Sequence, residues 1–271
     1  MSGKASDMAK RSNGRKPNKP DPGVLDTYPV ALWPWPRIAV YVPLLPCLPD
    51  APRVFHRFLA IAGQGTPFID AGYGEIAMQR CKVGEHLLES SFTHVLMLDH
   101  DHEHPVDIVQ RLAARVIEDP RRLIVGGIVF RRTAPYDPAL MIRDKSGNYY
   151  RSTDWEQGVV EVDALSTACV LIHRSVFEHL KRPWFFYDYT GAEEGGKDWV
   201  RKTEDINFCE KARAAGLRIF VDTTVCSPHI PSDGPAVDEA YWRSYVDKHG
   251  HGGAVRNIEE IIENEKAKVI A

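Results

Sequence analysis

The amino-acid sequence predicts an α/β sandwich: a largely parallel sheet with helices packed on its faces. Three observations predict it. Short β-branched apolar runs alternate with stretches of helical periodicity through residues 37–130, the pattern of a layered α/β domain. The run Val95 to Leu98 is continuously apolar, as suits a strand buried on both faces. That run stops abruptly in Asp99-His100-Asp101-His102-Glu103-His104. In such sheets ligands bind outside the carboxyl ends of the strands.

The elements follow in chain order. Residues 1–27 read as a basic tail, with Lys4, Lys10, Arg11, Arg15, Lys16 and Lys19 among Ser, Gly, Asn and Pro. Such a segment buries too little apolar surface to offset its ordering entropy. The sharper reading of the tail is a phosphate-seeking arm for nucleic acid or another anionic surface. Trp33-Pro34-Trp35-Pro36 reads as an extended entry strap. The first strand runs from Arg37 and is closed by Pro43. Helices are predicted over 53–63 and 74–91, the second with Ile76, Ala77, Cys81, Val83, Leu87 and Leu88 roughly on one face. After the strand 95–98, a helix over 106–118 carries Ile108, Leu112, Val116 and Ile117 at helical spacing.

Leu123 to Phe130 is the next strand and contains the pair Gly126-Gly127. Residues 131–147, rich in Arg, Pro, Asp and Gly, read as a loop. Strands follow at 159–164 and 168–172, then a helix from Ser175 to Lys181. Residues 183–202 are aromatic and then Gly-rich, a surface loop anchored by Trp184, Phe185, Phe186, Tyr187 and Tyr189. A helix over 204–215 lies between Thr203, a natural N-cap, and Gly216, a natural stop. Leu217 to Val221 is a strand, and 235–247 and 255–268 read as peripheral helices. The chain thus divides into a tail (1–27), one main domain (28–232) and a helical extension (233–271), with no internal repeat.

Composition narrows the function classes. The chain has 271 residues, 44% apolar and 26% charged, with a formal net charge of −3. That is globular composition, and it excludes a wholly basic, nucleic-acid-coating surface. A local patch from Arg131, Arg132 and Arg143 stays open. No stretch approaches the roughly 18 continuous apolar residues of a membrane span, and the first 30 residues lack the apolar centre of a secretory signal. The five cysteines, Cys47, Cys81, Cys169, Cys209 and Cys226, form no C-x-x-C pair. A disulfide framework and a zinc ribbon are therefore not expected, and a reducing cytoplasm is the expected location.

Four constellations carry chemistry. Asp99-x-Asp101 places two carboxylates directly after a buried strand, where they can converge on Mg²⁺ or Mn²⁺. Such a cation can clamp a diphosphate and stabilise it as a leaving group. His100, His102 and His104 alternate with the acids. In an extended segment they would share one face, away from the carboxylates, which makes a zinc site an alternative. In Thr203-Glu204-Asp205 both acids fall in the first turn of a helix. They serve either the helix dipole alone or catalysis, one of them facing the cleft as a general base kept ionised by that terminus. His229, between Pro228 and Pro231, is a candidate third ligand for a metal held by two carboxylates.

In order, these segments are Thr93-His94-Val95-Leu96-Met97-Leu98-Asp99-His100-Asp101, Gly126-Gly127-Ile128-Val129-Phe130-Arg131-Arg132, Cys169-Val170-Leu171-Ile172-His173-Arg174-Ser175-Val176-Phe177 and Thr203-Glu204-Asp205-Ile206-Asn207-Phe208-Cys209-Glu210-Lys211-Ala212. Together they resemble nucleotide-sugar glycosyltransferases of the A-type fold, in the branch similar to family 2 and especially its compact bacterial and viral members. The likeness covers about residues 37–232.

The resemblance implies a single A-type domain with a Rossmann-like nucleotide-binding half. It implies a metal site of Asp99, Asp101 and His229 holding Mn²⁺ or Mg²⁺, with Asp101 the more direct ligand. It implies Asp205 as catalytic base with Glu204 as the alternative, and Pro43 and Arg80 beside Asp99 and Asp101 on the donor. Two departures stand out: Cys81 follows Arg80 where relatives often have Asn, and Ser166-Thr167-Ala168 stands where they often have G-x-G. The implied reaction is metal-dependent sugar transfer from a nucleotide-diphosphate sugar, UDP-sugar by default, to an acceptor hydroxyl with inversion. A hydroxylated base in DNA, a saccharide and a lipid-linked glycan are the acceptor classes. The competing readings are a nucleotidyltransferase with a similar metal site, a nucleotide-binding protein without turnover, and a zinc hydrolase built on the histidine run.

Overall fold

Every residue of β1 (Ile38–Tyr41) is buried, as its apolar sequence demands. The computed structural model describes residues 36–43, 51–72, 74–190, 199–231 and 234–250. The expected tail 1–27, the strap at Trp33 to Trp35, the Gly-rich stretch 191–197 and the helix 255–268 lie outside them, as does Cys47. After β1 come α1 (Ala51–Ala62) and β2 (Phe68–Ile69), then α2 (Ile76–Glu89), whose N-terminus is capped by the Glu75 carboxylate accepting from the amides of Ala77 and Met78. β3 (His94–Leu98), α3 (Ile108–Glu118) and β4 (Ile124–Val129) complete the first half.

The second half contains β5 (Leu140–Arg143), β6 (Tyr149–Arg151), β7 (Val159–Val162), β8 (Ala164–Leu165) and β9 (Cys169–His173). There follow α4 (Arg174–His179), the hairpin of β10 (Asp188–Thr190) and β11 (Trp199–Lys202), α5 (Glu204–Ala214), β12 (Ile219–Ser227) and α6 (Glu239–His249).

The main sheet has seven strands in the order β2-β1-β3-β9-β4-β12-β7. β2, β1, β3, β4 and β12 run one way; β9 and β7 run against them. The expected α/β architecture, a mainly parallel sheet flanked by helices, is what the chain adopts. β3 shows why its sequence is apolar throughout. Val95 and Met97 join a core with Leu87, Phe177 and Phe208, while Leu96 and Leu98 join a second core with Leu112, Val116 and Phe220. Each such side chain contributes roughly 1.5–3 kcal/mol by leaving water.

The glycine pair in β4 is a packing requirement. A Cβ on Gly126 would stand 2.7 Å from the Cys169 carbonyl oxygen, and one on Gly127 would stand 2.7 Å from that of Val225. Two backbones therefore close on β4 from β9 and from the irregular middle of β12, where the register shifts between Asp222 and Cys226.

Two expectations need correction. The segment 131–147 is not all loop: β5 pairs with β6 and β8 in a small second sheet. Its apolar Leu140-Met141-Ile142 run is brief and follows Pro138, so turn residues mask it. β12 is nine residues long, not five, because its bulge carries the strand past Asp222 to Ser227. Trp184 and Phe185, two of the expected aromatic anchors, are buried in the core.

Residues 234–250 pack on the same core. Val237 exchanges two backbone hydrogen bonds with His229 (2.7 and 3.0 Å), and Trp242 is buried. Among the described residues no helix is long and apolar enough to cross a membrane, and Cys81, Cys169, Cys209 and Cys226 are free thiols.

Candidate active site

The site forms where β3 ends. The Asp99 amide donates to the Ala168 carbonyl (2.9 Å), and the chain then turns at His100 and Asp101. Residues 101–103 next pair with the segment that leaves β12. The Glu103 amide donates to Pro228 O and the Ile230 amide to Asp101 O, both at 2.8 Å, so His102 and His229 stand opposite each other. Two segments more than 120 residues apart in sequence are thus locked by backbone bonds.

The side chains of Asp101, His102 and His229 converge, each offering one ligand atom within 4.8 Å of the others. His102 Nδ1 is 2.9 Å from Asp101 Oδ1, and His229 Nε2 is 3.0 Å from Asp101 Oδ2. His229 Nδ1 is 2.7 Å from the Phe130 carbonyl oxygen. A carbonyl only accepts, so Nδ1 carries the proton and a neutral ring presents its Nε2 lone pair to the carboxylate. A cation, either a proton or a metal ion, is needed between them. Burial pushes the Asp101 carboxyl up, but its contacts with His102 and His229 prevail and hold it far below the usual carboxylate range. Arg132 Nη1 stands 3.9 Å from Asp101 Oδ2 on a largely exposed side chain.

The histidine run does not act as one face. The turn at 100–101 breaks the extended geometry and brings Asp101 onto its neighbour His102. His104 is fully buried, with Nδ1 on Ser227 Oγ (2.9 Å) and Nε2 on the Asp99 carbonyl (2.8 Å). Burial pushes it down to about 3, and both its nitrogens are occupied. His100 is buried, and its Nδ1 has no hydrogen-bond partner. A zinc centre of His100, His102 and His104 is therefore not assembled.

A second constellation abuts the first. Arg80, 3% exposed on α2, reaches Asp99 Oδ1 through Nη2 (2.8 Å) and Glu204 Oε1 through Nη1. Burial works against its charge, but Asp99 and Glu204 outweigh that and raise it above the ordinary guanidinium value. Glu204 is buried, which pushes its carboxyl up; Arg80 opposes this and Asp205 adds to it. The Tyr187 hydroxyl lies beside the Glu204 and Glu75 carboxylates, and burial with these two anions pushes it up. Asp205 is only half-buried, and the Thr203 hydroxyl and the Ile206 amide (2.8 Å) both donate to its Oδ1. Thr203 thus occupies the N-cap position without capping through its side chain.

Of the sequence-predicted residues, Asp101 and His229 meet directly, and Arg80, Asp99 and Glu204 form one ion-paired group. Asp99 lies outside the three-residue ligand cluster, its Oδ1 taken by Arg80. Pro43 is buried two residues beyond β1. Thr167, where the resemblance places a G-x-G segment, is fully buried with a hydroxyl lacking a partner. Sequence reasoning missed His102 as a member of the cluster and Tyr187 as a link between carboxylates. His102 had a signal, its place next to Asp101; Tyr187 had none beyond an aromatic run.

One solved structure shares the fold, and others align less well. The structure of A197 from STIV aligns at a TM-score of 0.52 with 17% identity, over 76% of this chain and 91% of that one. GalNAc-T7, solved with UDP, GalNAc and Mn²⁺, aligns at 0.46 with 11% identity, over 79% of this chain and 48% of that one. CMP:2-keto-3-deoxy-manno-octonic acid synthetase complexed with CTP aligns at 0.41 with 12% identity, over 78% and 97%. At such identity the likeness to A197 concerns the fold alone. No family model and no curated protein matches the chain.

Proposed function

We propose that this chain is a metal-dependent glycosyltransferase that moves a sugar from a nucleotide-diphosphate sugar to an acceptor hydroxyl. One observation carries the reading: Arg80 ties the first turn of α5 to the end of β3. That tie supports reading Asp205, a half-buried carboxylate at the N-terminus of α5, and the Asp101–His229 pair beyond β3 as parts of one site. A general base and a cation site in one cleft are what displacement at an anomeric carbon requires. The segments 28–232 would be the catalytic domain, with 233–271 an extension of it.

The residues fit a divalent ion on chemistry. Asp101 and His229 present a carboxylate and an imidazole nitrogen to one point, a donor pair that a divalent ion takes. When bound there, the ion supplies charge neutralisation for the diphosphate leaving group. The chain's own groups do the remaining work. Asp205 accepts the proton of the acceptor hydroxyl through Oδ2, since Oδ1 already takes both donated hydrogen bonds. The hydroxyl oxygen then bonds the anomeric carbon as the sugar–phosphate bond breaks toward the diphosphate. Glu204, buried on Arg80, holds the base in place. Asp99 and Pro43 line the donor side, and UDP is the default nucleotide.

The test is donor turnover. The protein is incubated with UDP-, GDP-, CMP- and dTDP-sugars, with and without Mn²⁺, beside Asp101→Ala. Metal-dependent release of one nucleotide, lost in the variant, is the expected result. No release from any donor, with no metal-dependent nucleotide binding, overturns the proposal.

A further inference from the structure

We propose that His102 is itself a metal ligand, so that Asp101, His102 and His229 form a two-imidazole, one-carboxylate centre that selects a first-row transition ion such as Mn²⁺ over Mg²⁺. The inference rests on reading this cluster as a metal site, and not on the sugar-transfer chemistry.

The spacing comes first. An octahedral ion with bonds near ~2.1 Å places adjacent ligand atoms about 3 Å apart. The nitrogen-to-carboxylate separations are 2.9 Å for His102, to Oδ1, and 3.0 Å for His229, to Oδ2. The ring centroids of the two imidazoles are 4.1 Å apart.

The surroundings of the ring come second. His102 is 3% exposed, and its Nε2 is buried with no hydrogen-bond partner. No group behind the ring therefore fixes its tautomer, and Nδ1 faces the same carboxylate that His229 Nε2 faces. No comparable freedom exists at His104, whose nitrogens are engaged on both sides.

Preorganisation comes third. Backbone bonds hold residues 101–103 against 228–230. The His102 ring lies between the rings of His229 and His104, the latter 5.8 Å away and itself pinned by Ser227 and the Asp99 carbonyl. The site is thus built before an ion arrives. Two imidazoles with one carboxylate suit Mn²⁺, Fe²⁺, Co²⁺ or Zn²⁺, whereas Mg²⁺ takes oxygen ligands in near-ideal octahedra.

The experiment needs no donor and no acceptor. Metal-stripped full-length chain is titrated with Mn²⁺, the free ion being followed by its electron paramagnetic resonance signal, with and without Mg²⁺ in hundredfold excess. Nitrogen couplings to bound Mn²⁺ are counted by pulsed resonance. The expected result is one Mn²⁺ retained against Mg²⁺, coupled to two imidazole nitrogens. In His102→Ala and His102→Gln one coupling is lost, Mn²⁺ affinity falls at least tenfold, and Mg²⁺ affinity moves less than threefold. The Gln variant and the wild-type nitrogen count keep the test open if the Ala variant does not fold. A single nitrogen in the wild type, or an unchanged Mn²⁺/Mg²⁺ ratio in a folded variant, overturns the role of His102. No Mn²⁺ binding overturns it and the metal-dependent function together; a two-nitrogen site with no nucleotide-sugar turnover overturns only the function.

Discussion

Arg80 meets Glu204 across 124 residues of sequence, one guanidinium nitrogen on that buried carboxylate and the other 2.8 Å from Asp99. The pair joins α2, α5 and the end of β3 at one point. Arg80→Met would leave Glu204 buried without its cation. Breaking one side of such a pair costs about 3–5 kcal/mol. Urea unfolding should show that loss, and the double variant Arg80→Met with Glu204→Gln should recover part of it, because no uncompensated charge then stays buried. Additive losses in the double variant would mean that the pair is not the link between these elements.

Asp205 and Glu204 are neighbours with different surroundings, and substitution should separate them. Asp205→Asn keeps the shape of a half-buried, locally bonded side chain and removes a base. Turnover should fall by roughly 10²–10⁴-fold with the melting temperature little changed. Glu204→Gln should act mainly on stability, through Arg80 and Tyr187. If Glu204→Gln is the inactive variant and Asp205→Asn retains activity, the assignment of the base reverses.

The sheet was legible because burial on both faces leaves an unmistakable trace in β1, β3, β4 and β9. The N-terminal turn of α5 was legible from Thr203 and two acids. The cluster was legible only in part. Asp101 and His229 came from type and order, but the His102 contact depends on a turn at residues 100–101 that period-two reasoning denies. The roles of Arg80 and Tyr187 depend on which helix crosses which strand, and no local pattern encodes that. β5 was hidden because a four-residue strand amid Pro, Asp and Gly looks like the turns that surround it.

Gly127 sits where β4 and the bulged β12 close together. Gly127→Ala would set a Cβ 2.7 Å from the Val225 carbonyl and 3.1 Å from Cys169 Sγ. Backbone atoms on a central strand do not yield cheaply, so a loss of about 1–3 kcal/mol is expected. The bulge leads into Ser227 and His229, so Mn²⁺ affinity should weaken as well. Calorimetry and metal titration of the variant check both; wild-type values in each would show that the glycine is incidental.

His94 predicts how stability responds to acid. It pairs with His173 across β3 and β9, with ring centroids 4.7 Å apart. Burial, with the nearby His173 ring adding to it, pushes His94 down to about 3 from its ordinary 6.5. A depressed imidazole is neutral in the folded chain while the unfolded chain takes up a proton. Stability is therefore complete above pH 6.5 and is lost as the pH falls from 6.5 toward 3. At pH 5.5 the loss is roughly 1–1.5 kcal/mol for this group. His104, also pushed down to about 3, adds a similar amount. In the presence of chelator, unfolding free energy should drop by about 2–3 kcal/mol between pH 7.5 and 5.5. His94→Leu removes one titrating group and keeps an apolar side chain at a buried strand end. Its slope over that range should be about half that of the wild type. An unchanged slope would place the acid sensitivity elsewhere, in His104 and His173.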